Sequence, residues 1–99
     1  MTNSANGIQT LQLPPVMDLT AAAPLTERLL SLRGIDLTVD ASEVARLGGQ
    51  CLQVLLSALK TWEADGAKLE ILRPSQDFVD ALRHLGIDPF TFTTRELPQ

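Results

Sequence analysis

The chain predicts an α/β fold, because short runs that alternate apolar and polar residues take turns with longer runs whose leucines recur at helical spacing. The clearest case spans Ile35 to Thr61: a strand pattern, a polar connection holding Gly48 and Gly49, then a strongly striped helix. The third observation is punctuation. Pro14 and Pro15, Gly34, Asp65 with Gly66, and Arg73 with Pro74 interrupt the runs where turns are needed.

Ninety-nine residues suffice for one domain and not for two. The division expected is a flexible N-terminus over residues 1–7 and one domain over 8–99, with its core at 8–87 and a tail at 88–99. The apolar fraction of 44% is that of a globular protein. A formal net charge of −4 with scattered Lys and Arg excludes the basic face that a nucleic-acid partner requires. Neither a secretory signal nor a run long enough to span a bilayer is visible, so the expected location is the cytoplasm without membrane insertion. A single cysteine, Cys51, cannot form an internal disulfide.

From Gln9 to Leu13 the alternation predicts a first strand, which Pro14 and Pro15 end because proline has no N–H for a ladder. Val16 to Leu19 predicts a brief second strand or extended arm. A helix follows over about Ala21 to Arg33, with Thr20 as N-cap, Leu25, Leu29, Leu30 and Leu32 as apolar contacts, and Gly34 beyond its end. Ile35, Leu37 and Val39 then mark a central strand.

In the long helix, Leu52, Leu55, Leu56 and Leu59 form a stripe that Cys51, Val54, Ala58 and Trp62 widen, leaving Gln53, Ser57, Lys60 and Thr61 on the other face. Lys68 to Leu72 predicts a strand with Leu69 and Ile71 on one face. Ser75 caps a last helix whose inward stripe is Phe78, Val79, Leu82 and Leu85. Phe90 to Thr93 alternates like a strand, and two readings stand for it: a fifth strand at the sheet edge, which the pattern favours, or a segment packed loosely over that edge.

Gly48 and Gly49 lie where a strand feeds a helix, the edge at which scaffolds carry binding and the first helical N–H groups lack partners. Two readings stand there: a tight turn, or a backbone left bare for positive φ or close approach. Asp40 is read as a cap or turn residue ahead of Ser42, and Arg46 as either a solvated cation or a contact for a partner's acid. His84 falls off its helix stripe with no second ligand nearby, so no metal or other cofactor is expected. No nucleophile has a base in reach of it, which argues against an enzyme and leaves no catalytic residue to name.

The stretch from Asp40 to Leu52 resembles the central motif of STAS domains, the small α/β modules of bacterial anti-sigma-factor antagonists and anion-transporter tails. The motif's opening aspartate falls on Asp40, its serine on Ser42, its valine on Val44 and its final leucine on Leu52. Gly66 to Leu72, Pro74 with Ser75, and Leu85 to Ile87 fit later family features, so the resemblance runs from Ile8 to Ile87. It implies a mixed sheet of four to five strands with helices packed on one side.

The chain departs from the motif at Gly48, Gly49, Gln50 and Cys51, which replace its aspartate, its two hydroxyl or small residues and its glycine. The second hydroxyl position is the serine phosphorylated in the family's antagonists, and Gln50 has no hydroxyl to modify. The resemblance thus implies a protein-docking module without that switch, in bacterial signal transduction related to chemotaxis or histidine kinases. Its contact rim is Ser42, Arg46, Gly48, Gly49, Gln50, Gln53 and Ser57.

The expected partner is a protein: a kinase, an anti-sigma-like or chemotaxis component, or a transporter ATPase, bound by a monomer or weak dimer. Two alternatives remain open. One is an accessory subunit of a lipid-transport ATPase, whose STAS subunit has an arginine matching Arg46 and a threonine where Gly49 stands. The other is an antagonist switched at Ser42 or Ser57.

Overall fold

The computed structural model describes residues 9–92. The reading of residues 1–7 therefore lies outside the described residues. Three helices and five short strands form the α/β fold expected, and the strands divide into two groups. Strands β1 (Gln9–Gln12), β3 (Leu37–Asp40) and β5 (Leu69–Leu72) make a parallel sheet in the order β1-β3-β5, with β3 central as anticipated. Strands β2 (Val16–Met17) and β4 (Arg46–Leu47) make a separate parallel pair.

The register sets Leu11, Val39 and Ile71 side by side across the sheet, and all three are buried. Parallel strands need long crossovers, which here contain helices α1 (Ala22–Ser31) and α2 (Gly49–Asp65). Helix α3 (Gln76–His84) lies against β4. On α2 the inner face buries Cys51, Leu52, Leu55, Ala58 and Trp62, with Val54, Leu56 and Leu59 partly covered beside them. The Trp62 indole N–H donates to the Ile35 carbonyl at 2.7 Å, so the largest core side chain leaves no polar atom unpaired.

Several sequence expectations need correction. Asp18, not Thr20, begins the first helical segment: its carboxylate accepts from the Thr20 N–H at 3.1 Å and the Thr20 hydroxyl at 2.7 Å, over a 3-10 turn at Leu19–Ala21. Aspartate competes well for that place because its oxygen is charged. Leu30 is 59% exposed and Leu85 42%, so neither belongs to its stripe. Ile35 sits in the turn after α1, where its N–H donates to the Leu32 carbonyl.

Among the described residues the tail forms no strand. Pro89–Phe92 forms a 3-10 turn that the Asp88 carboxylate starts by accepting from the Phe90 N–H at 2.9 Å, and Phe92 drops into the core. Thr93 lies outside the described residues. Without a fifth strand there, every strand pairing among the described residues is parallel, where a mixed sheet had been expected.

Asp40 ends β3 and is the one buried polar or charged residue among those described. Its carboxylate accepts from the Ser42 N–H at 2.9 Å and from the Arg73 guanidinium at 2.5 Å. The turn role expected of Asp40 is thus observed, but the Arg73 pairing had no sequence signal. The hydrogen bond from Arg73 is the largest cause that lowers the Asp40 pKa to about 2, helped by the Ser42 side chain and backbone against the opposing effect of burial.

Two outcomes follow for stability. Since the folded pKa of Asp40, about 2, lies below the unfolded value of 3.8, its contribution is complete above pH 3.8 and fades as pH falls toward 2. Denaturant titrations should show a stability loss in that window that Asp40→Asn makes smaller, and an unchanged slope in the variant would contradict the assignment. Leu55→Ala, at a fully buried position, should cost roughly 2–5 kcal/mol in the same assay.

Candidate functional site

The candidate site grows from the junction between β4 and α2. Its backbone is drawn in at Gly48, whose N–H donates to the Met17 carbonyl at 2.9 Å and so continues the β2–β4 pairing to the helix start. A Cβ at Gly48 would meet that carbonyl oxygen at 3.4 Å, ordinary contact, whereas one at Gly49 would meet nothing within 4 Å. Neither glycine takes positive φ: Gly48 is extended at φ −92° and Gly49 opens the helix. Of the readings left open by the sequence, Gly48 thus approaches its own chain, and Gly49 faces open space.

No side chain caps α2. The first turn, exposed at Gly49 and Gln50 but buried at Cys51 and Leu52, therefore has backbone donors at its two exposed residues that the helix itself cannot satisfy. Gln50, Gln53 and Ser57 then recur on one face of α2, all exposed. The amides donate and accept, the hydroxyl does both, and none carries charge.

Those three side chains form one wall of a groove of about 290 Å³ whose other wall is α1, through Thr26, Leu29 and Leu30. Its floor is apolar, with Val54, Ala58 and Trp62. Among the described residues no ionisable side chain lines it. The two helices run side by side, joined near their C-terminal ends by an Arg33–Asp65 ion pair at 2.9 Å. This pair lowers the Asp65 pKa and raises that of Arg33, in each case chiefly through the shared hydrogen bond.

Of the rim expected from sequence, Gln50, Gln53 and Ser57 come together at this groove, with Gly48 and Gly49 at the start of the same helix. Ser42 and Arg46 are exposed but lie on the preceding loop and strand, outside the groove lining. Sequence reasoning missed the α1 contribution entirely. Leu30 was assigned to the core because its spacing from neighbouring leucines is helical, and only its exposure marks it as a groove residue.

Neither Cys51 nor His84 lines this groove. Cys51 is fully buried, donates to the Asp18 carbonyl at 3.3 Å, and is held protonated because burial, and then the Asp18 charge, push its thiol pKa up. His84 is exposed at the last residue of α3. Among the described residues no three His, Cys, Asp or Glu side chains converge as metal ligands. No helix among the described residues is long and apolar enough to cross a membrane.

Comparison with known proteins agrees with this architecture. The family model described as "Mlab, STAS domain" matches residues 1–94, and no curated protein matches. Members of this class generally serve as non-enzymatic modules that bind protein partners. With strands and helices in place and the match covering nearly the whole length, the chain belongs to the STAS domain family.

Proposed function

We propose that this STAS domain is a constitutive protein-docking module of bacterial signal transduction, seated on its partner through the start of α2 and the rim from 42 to 57. The observation that carries the reading is Gln50. It stands exposed at the head of the α1–α2 groove, in the motif position where a phosphorylatable serine would operate the switch. Phosphate there would add nearly two negative charges beside a helix start, whereas an amide offers permanent, uncharged hydrogen bonding. A kinase or chemotaxis component is the partner class that this reading names.

Docking to the ATPase of a lipid transporter is the second reading. It is supported by the exposure of Arg46, which holds the position of an arginine in that STAS subunit. Both readings use the same surface. Ser42 and Ser57 carry the remaining reading, in which a kinase acts at an unusual serine; intact-mass analysis after exposure to kinase and ATP reports on it.

Photo-crosslinkers placed at Gln53 and, as control, at Asp77 on α3 test the site in the native cell. A discrete partner should be captured from position 53 alone, and its identity separates signalling from transport. Gly49→Trp should keep the thermal midpoint, because its side chain enters open space without demanding positive φ. The same change should lower capture by about tenfold or more, the effect of spoiling a central contact. Equal capture by this variant would remove the docking site.

A further inference from the structure

We propose that Arg73 is a positioning residue for the docking rim, fixing the loop between β3 and β4 that presents Ser42 and Arg46. This deepens the docking proposal and rests on it. Arg73 follows β5 with φ +50°, the one residue other than glycine in the left-handed region among those described. That backbone is costly for a side-chain-bearing residue, and more so here, because Pro74 biases the preceding residue toward extended conformations. Such outliers persist where their surroundings hold them and often mark functional segments.

What holds Arg73 is the loop itself. Its guanidinium donates to the Asp40 carboxylate at 2.5 Å, and the other oxygen of that carboxylate accepts from the Ser42 N–H. The left-handed turn brings Ser75 over the loop, where its N–H donates to the Ala41 carbonyl at 3.1 Å and its hydroxyl to the Val44 carbonyl at 2.6 Å. Ser75 also caps α3, so the bracing ends on a rigid element. On the far side, the Ala45 and Arg46 N–H groups both donate to the Pro15 carbonyl. Residues 41–46 are thus pinned from both sides, and the Arg73–Asp40 pair is the one charged clamp among these pins.

Arg73 remains mostly exposed, with 66% of its side chain in solvent, and contributes little apolar burial. Its role separates from core stability for that reason. Amide exchange measured by NMR on the full chain tests it with three variants. Arg73→Gln and Arg73→Gly should each speed exchange at Ser42 by about tenfold, the loss expected when a charge-assisted hydrogen bond no longer orients its neighbour. Leu55 and Ala58 in α2, which report the global stability that the Asp40 pair also supports, should lose less protection than Ser42. Arg73→Gly relieves the backbone strain while deleting the guanidinium, so a loosened loop in that variant identifies the side chain as the clamp.

Arg73→Lys should restore most of the protection, and capture through the position-53 crosslinker should follow the same order across the three variants. Unchanged exchange at Ser42, or acceleration spread evenly through α2, would overturn the proposal. Failure of the parent to capture any partner would instead defeat the docking reading, and exchange in the loop would still decide whether Arg73 positions it.

Discussion

The seating of α2 is the constraint on which the rest depends. Five residues of one helical face, from Cys51 to Trp62, are buried in the core. A helix committed by that much apolar area has no freedom to rotate about its axis without exposing leucines or burying glutamines. The direction of Gln50, Gln53 and Ser57 is therefore decided by the residues that bury the helix's inner face. Trp62 reinforces the choice: its indole N–H has a partner only in this rotation, at the Ile35 carbonyl between α1 and β3.

Where local chemistry decides structure, the sequence was legible. The α2 stripe, the Ser75 cap and the turn at Asp40 each rest on residues within a few positions of one another, and each is observed. The failures share the opposite property. Arg73 meets Asp40 from 33 positions away, and nothing in either neighbourhood announces the pairing. Phe90 to Phe92 alternate like a strand, yet the demand of Phe92 for the core and the grip of Asp88 on the Phe90 N–H curl the segment instead. Leu30 belongs to the same leucine run and is still exposed, because it stands one position on from the buried Leu29, about 100° around the helix. That Gln50, Gln53 and Ser57 share one face of α2 was readable from their spacing, while the α1 wall beside them was not, since which helix lies beside which is a tertiary fact.

A docking surface without ionisable lining behaves differently from a phosphorylation switch. Its affinity depends on shape, apolar contact and hydrogen-bond geometry, terms that respond weakly to salt. On the proposed reading the departures at Gly49 and Gln50 form one coherent change: a bare backbone and an amide stand where the motif has hydroxyl or small residues, and neither offers an acceptor for phosphate. The Asp40–Arg73 pair lies outside the groove, at the loop that follows β3, where the Asp40 carboxylate also accepts from the Ser42 N–H.

The most direct measurement is hydrogen exchange footprinting of the full chain, free and bound to its captured partner. The account predicts added protection at Gly49 to Val54 on α2 and at Thr26 to Leu30 on α1, with α3 unchanged. Protection confined to α3 or to the free edge of β1, with the groove residues exchanging as before, would contradict it.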